Sequence, residues 1–116
     1  MAPLIFCFFH LIFIYHAYNE DQKGWYIMRI LLAEDEKSLN RVVARRLTWD
    51  GYSVDSCFDG QEALDYLASA EYDAVILDVM MPRIDGFEVL IQMRERGDDT
   101  PVLFLTARDA LADKVE

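Results

Sequence analysis

Acidic side chains follow two short apolar runs of this chain, and a hydroxyl follows a third. Glu34 and Asp35 come after residues 30–33, Asp78 after residues 74–77, and Thr106 after residues 102–105. If the runs are parallel neighbours in a sheet, these ends meet along one edge. Two carboxylates about 4 Å apart repel by roughly 4 kcal/mol at an effective dielectric near 20. The group must therefore hold a cation or keep a proton, and a cation is the simpler answer. No His or Cys lies in these loops, and hard oxygen donors with room for several waters favour Mg2+ over zinc. A carboxylate beside bound Mg2+ can act as a nucleophile toward phosphorus, because the metal offsets the charge that keeps two anions apart. Thr106 would then donate a hydrogen bond to a phosphoryl oxygen.

From Arg29 onward, short apolar runs alternate with segments of helical period, the pattern of βα repeats around a parallel sheet. The fold class is α/β. Leu39, Val42, Val43 and Leu47 recur at helical spacing, with Asp35 and Glu36 suited to the helix N-terminus, Gly51 closing it and Trp49 able to pack inward. Residues 52–58 alternate apolar and polar types and read as an edge strand. Asp59 and Glu62 have the spacing of a capping box and lead into Ala63, Leu64, Leu67 and Ala68 on one helical face. Asp85 and Glu88 repeat the device before Phe87, Leu90, Ile91 and Met93, with Gly97 as the stop. Residues 102–105 are apolar throughout, as in a strand buried on both faces, and residues 110–116 suffice for about two turns of helix.

The chain has 116 residues, enough for one hydrophobic core, and a formal net charge of -10, of which -9 lies in residues 28–116. Such an acidic surface repels phosphate backbones, so direct nucleic-acid contact is not expected. Cys7 and Cys57 lie in no metal-ligand spacing. Cys57 reads as a reduced core or near-surface thiol, and the location as cytoplasmic. Residues 1–27 belong to a different composition class: a nearly unbroken apolar and aromatic stretch, then a polar one. No basic residue precedes Leu4, which argues against a secretory signal. The stretch is also shorter than the roughly 20 apolar residues of a membrane span, and His10 and His16 interrupt it. The preferred reading is upstream DNA translated in frame, with Met28 the natural start and Lys23-Gly24 encoded by a purine-rich ribosome-binding sequence. A weak membrane tether is the less favoured reading.

Ala33-Glu34-Asp35-Glu36, Leu77-Asp78-Val79-Met80-Met81-Pro82, Asp85-Gly86 and Leu105-Thr106-Ala107-Arg108 together resemble the receiver domain of two-component response regulators, over Arg29 to Val115. The resemblance implies a doubly wound, flavodoxin-like parallel sheet of order 2-1-3-4, with the family's fifth strand and last helix beyond the end of this chain. It implies that Asp78 is the phosphoacceptor, taking its phosphoryl group from a sensor histidine kinase. Asp35 and Asp78 would bind Mg2+ through their carboxylates, the backbone carbonyl of Met80 would complete the protein ligands, and Glu34 would assist through a water. Thr106 would be the switch hydroxyl with the small Ala107 beside it, while Pro82 and Gly86 would shape the loop after Asp78. Asp59-Gly60-Gln61-Glu62-Ala63-Leu64, Met80-Met81-Pro82 and Thr100-Pro101-Val102 are similar to the subfamily whose receivers precede a winged-helix DNA-binding domain. That subfamily implies a transcriptional output and a possible homodimer. The family's lysine on the fifth strand has no counterpart in Lys114, which falls in the helix before that strand, so a truncated receiver is expected.

Other readings compete with this one. Asp35 and Thr106 are also helix-capping types, although caps do not require acids after two separate strands. An α/β phosphatase would want an Asp-x-Asp pair, which Ala33-Glu34-Asp35-Glu36 does not supply. A nucleotide-binding loop would want glycines and free amides. The chain thus reads as a phosphoacceptor signalling domain rather than an enzyme, the alternative being a truncated or degenerate receiver that serves only as a protein-interaction module.

Overall fold

In the computed structural model of the chain, residues 27–105 are described. Their elements are β1 (Arg29–Ala33), α1 (Lys37–Trp49), β2 (Ser53–Cys57), α2 (Gly60–Ser69), β3 (Ala74–Asp78), α3 (Gly86–Glu95) and β4 (Val102–Leu105). The readings of residues 1–27 as an extension (Ile27 apart), of Thr106 and Ala107 as switch residues, and of residues 110–116 as a helix lie outside the described residues.

The four strands form one parallel sheet in the order β2-β1-β3-β4, as expected. Right-handed crossovers place helices on both faces of such a sheet: α1 packs on β1 and β2, while α2 packs on β1 and α3. Strands covered on both sides must be apolar on both sides, and β1 and β3 meet that demand with Ile30 to Ala33 and Ala74 to Leu77 all buried. One core cluster gathers Leu31, Ala33, Val75 and Leu77 from the strands with Leu64 and Val89 from the helices. Among the described residues β2 pairs with β1 alone, so the alternating run reads correctly as an edge. Among the described residues β4 pairs with β3 alone and its first three positions are half-buried.

Helix ends follow local chemistry. The Asp59 carboxylate accepts from Glu62 N at 2.8 Å, and Glu62 reaches back to accept from Phe58 N at 2.7 Å, one residue before the cap, a shifted version of the expected capping box at the start of α2. Asp85 accepts from Glu88 N at 2.9 Å, but Glu88 accepts from Gln92 instead of reaching back, so α3 has half the device. Gly51 and Gly97 follow α1 and α3 with φ of 101° and 79°, a conformation that costs glycine little.

Several expected core positions face solvent. Trp49 is 86% exposed and Val42 is 62% exposed, because α1 buries the 40, 43, 47 stripe of Asn40, Val43 and Leu47. Ala68 is exposed on α2. In α3 the buried residues are Gly86, Val89 and Met93, while Phe87 and Ile91 are half-exposed. The apolar residues of this helix span more than half of its circumference, so spacing alone does not single out the buried stripe. The Phe87 ring still packs against Phe104 of β4, with centroids 4.9 Å apart.

Candidate functional site

Register fixes the site. Ala33 pairs with Leu77 and Asp78 with Leu105, so the residues leaving β1 emerge beside the end of β3. Side-chain oxygens of Glu34, Asp35 and Asp78 all lie within 4.8 Å of one another. Glu34 and Asp78 are buried, at 2% and 8% exposure, while Asp35 faces solvent. The three acids are therefore brought together, one open to water and two enclosed. Met80, the fourth residue read from sequence, has an exposed side chain, and its amide donates to Asp78 Oδ1 at 3.4 Å.

Three devices hold the acids. Glu36 is the N-cap residue of α1 but makes no side-chain cap bond; its amide donates to Glu34 Oε2 at 2.8 Å. Asp35 is thus not the cap, and the purely local account of that residue fails. Behind the loop, the buried Asn40 amide donates to the carbonyls of Glu34 at 3.0 Å and Cys57 at 2.9 Å. The Glu34 amide donates to the same Cys57 carbonyl at 3.1 Å. Asn40 so ties α1 to the ends of β1 and β2. Sequence reasoning passed it over, yet an amide among apolar positions of an amphipathic stripe is the kind of buried polar group that must find partners.

The third device is close packing after Asp78. The Gly86 amide donates to Val79 O at 2.9 Å, and a Cβ on Gly86 would lie 2.4 Å from Asp78 O. A Cβ on Gly60 would likewise meet the Ile84 carbonyl, which binds the same loop to the start of α2. Arg83 takes a positive φ of 69° within this loop, a costly choice for a side-chain-bearing residue.

Gathering the acids carries an electrostatic cost. Burial, and then the charge of Asp78, pushes the Glu34 carboxyl up to about 8. Burial also raises Asp78, against the opposing pull of its hydrogen bonds from the Met80 amide and from Glu34. Without a cation, burial and mutual repulsion favour a proton held by the Glu34–Asp78 pair. Three carboxylates with oxygens this close form a hard donor set that fits a small divalent cation such as Mg2+. Cys57 is buried, with its thiol pushed up to about 12 by burial and by neighbouring acids, which disfavours the thiolate a soft metal would need.

The family model described as the response regulator receiver domain matches residues 30–116. The chain belongs to the response regulator receiver family. Response regulator MprA of Mycobacterium avium (strain 104) is 51% identical over 88 residues, 76% of this chain and 39% of the relative. The chain thus spans about two-fifths of the length of the curated relatives it matches. Among solved structures, the Francisella response regulator 1452 receiver domain is 32% identical with a TM-score of 0.68, covering 76% of this chain and 73% of that one. Response regulator TrrA from Thermotoga maritima, in complex with Mg(2+)-BeF, is 35% identical with a TM-score of 0.68 over 77% of each chain. Receiver domains are signalling domains that interact with sensor histidine kinases, and they bind Mg2+ at an acidic pocket. Among the described residues no helix is long and apolar enough to cross a membrane.

Proposed function

We propose that Asp78 is the phosphoacceptor of this receiver and that its donor is a phosphohistidine on a sensor kinase. The observation that carries the reading is the enclosure of Asp78 within 4.8 Å of Glu34 and Asp35, at the end of β3 beside β1. In the transfer an Asp78 carboxylate oxygen forms the new O–P bond while the P–N bond to the kinase histidine breaks, its electron pair leaving on the imidazole nitrogen. The Met80 amide fixes the second carboxylate oxygen in place.

Mg2+ would be held by the Asp35 and Asp78 carboxylates and the Met80 carbonyl, with Glu34 acting through an intervening water. When bound, it supplies charge that lets an anionic nucleophile approach an anionic phosphoryl group. Glu34 is positioned for that role by the Glu36 amide, and Asp35, being exposed, stands where the donor must enter. Thr106 follows Leu105, the register partner of Asp78, and its hydroxyl is assigned to the phosphoryl oxygens. The setting is cytoplasmic, the readout is transcriptional through a DNA-binding output domain, and a second receiver copy is a candidate partner. The runs at residues 59–64, 80–82 and 100–102, similar to the winged-helix subfamily, support this output.

Incubating the chain with acetyl phosphate and Mg2+, then measuring intact mass, tests the assignment. A gain of one phosphoryl group that is lost in Asp78→Asn supports it. Undiminished labelling in that variant moves the acceptor elsewhere, and no labelling at all favours the receiver as an interaction module only.

A further inference from the structure

On the α1 side of the loop that carries the acids, a cleft of about 260 Å³ opens between α1 and β2, lined by Lys37, Asn40, Arg41, Ala44, Arg45, Ser56 and Phe58. Its cations stand at positions i, i+4 and i+8 of α1, about 6 Å apart in a row about 12 Å long. Among the described residues none of the three makes an ion pair; the two ion pairs are Arg29 with Asp55 and Arg46 with Asp50. In a chain of net charge -10, an unpaired row of positive charge beside a cleft is a local reversal of sign.

The same cleft borders the free edge of the sheet. Ser53 N donates to Met28 O at 2.9 Å and Cys57 O accepts from Glu34 N at 3.1 Å, so the peptide groups of residues 53, 55 and 57 face β1. Parallel pairing then turns those of Val54 and Ser56 outward, where no described strand meets them. Ser56 also lines the cleft, which places the α1 side of that edge next to the cation row. An added strand carries same-face side chains about 6.6 Å apart, close to the spacing of the cations.

We propose that an extended acidic segment of a partner protein adds to the free edge of β2, its alternate Asp or Glu side chains meeting Lys37, Arg41 and Arg45. Main-chain pairing with Val54 and Ser56 supplies affinity, and the charge row supplies selectivity. The volume favours such an occupant, since 260 Å³ falls below the usual span of small-molecule pockets while the row extends beyond a compact ligand. A contrasting account makes the cations mere guards of the edge against unwanted pairing. The opposite face of the edge bears Asp55, which is engaged by Arg29 and by the Tyr72 hydroxyl at 2.6 Å, so acids on that side of a bound strand are disfavoured.

The test titrates the full chain, by amide NMR at low salt, with an acetylated and amidated Glu-Thr-Glu-Val-Glu peptide and with its Lys-Thr-Lys-Val-Lys counterpart. The proposal expects saturable shifts for the acidic peptide at residues 37–45 and 53–58, and slowed hydrogen exchange at Val54 and Ser56. Affinity falls at least about tenfold in the Arg41→Gln, Arg45→Gln double variant and falls again with added salt. Both positions are exposed helix sites that accept Gln, and the urea midpoint verifies that the fold is kept. Absent saturation, equal binding of the two peptides, or binding without protection at Val54 and Ser56 overturns it.

Discussion

Replacing Asp78 by Asn should make the metal-free domain more stable while removing its response to Mg2+. In the wild type a carboxyl oxygen of Asp78 lies within 4.8 Å of one on Asp35. Coulomb repulsion at that separation is about 3.5 kcal/mol at an effective dielectric of 20 and about 0.9 kcal/mol in bulk water. Asp35 is exposed, so the relief from neutralising Asp78 lies between these limits, on the order of 1–3 kcal/mol. Asn keeps an oxygen for the Met80 amide, so little is lost in exchange. Urea unfolding in EDTA at pH 7.5 should show a midpoint about 0.5–2 M higher for Asp78→Asn, with unchanged slope. Millimolar Mg2+ should raise the wild-type midpoint well above its effect on the variant, because a cation that binds only the folded state stabilises by mass action. A lower midpoint for Asp78→Asn in EDTA, or equal stabilisation of both proteins by Mg2+, would refute the reasoning.

pH profiles, core and loop substitutions, and thiol chemistry give further checks. The folded state holds the Glu34 proton up to about 8, whereas the unfolded chain releases it near 4.5. Metal-free stability is therefore fully present below about 4.5 and declines as pH climbs through about 8; urea midpoints across that window should fall, and Glu34→Gln should flatten the decline. Asn40→Ala leaves the buried Glu34 carbonyl without the Asn40 donor and should cost about 2–3 kcal/mol in urea unfolding while slowing phosphorylation. Gly86→Ala pushes a methyl against Asp78 O and should cut phosphorylation by acetyl phosphate at least tenfold, with about 1–3 kcal/mol of lost stability. Cys57 should resist iodoacetamide in the native state and react on denaturation, as read by peptide mass.

The acids and strands were legible because their signals are short-range and redundant. A solid apolar run such as residues 74–77 can be satisfied only by burial on both faces, and the acid that ends it must then sit at the strand's mouth. Parallel pairing followed from alternation of elements, the 2-1-3-4 order from the resemblance to receiver domains, and the edge character of β2 from its mixed pattern. Helix faces were less legible. In α1 the buried stripe runs through Asn40, and a polar residue at a core position is invisible to a hydrophobicity count. Val42 and Trp49, apolar by type, therefore lie on the solvent side of the helix. In α3 the half-exposed Phe87 and Ile91 flank buried Val89, and only packing against α2 and β4 selects among them.

Asn40 joins the two halves of this account. A site that crowds Glu34, Asp35 and Asp78 destabilises the fold around it, so the loop that carries the first two acids needs an anchor that repulsion cannot loosen. An apolar side chain at position 40 would fill the core but leave the Glu34 carbonyl without its side-chain donor. The Asn amide serves both carbonyls with one group and fixes where β1 releases the chain. The Glu36 amide, reaching Glu34 Oε2, repeats the arrangement from the other side. Repulsion among the acids is thereby stored in a loop that cannot spread, and the cluster can relax only by holding a proton or a cation. The buried amide is thus as much a part of the proposed metal centre as the acids themselves, although it touches none of their carboxylates.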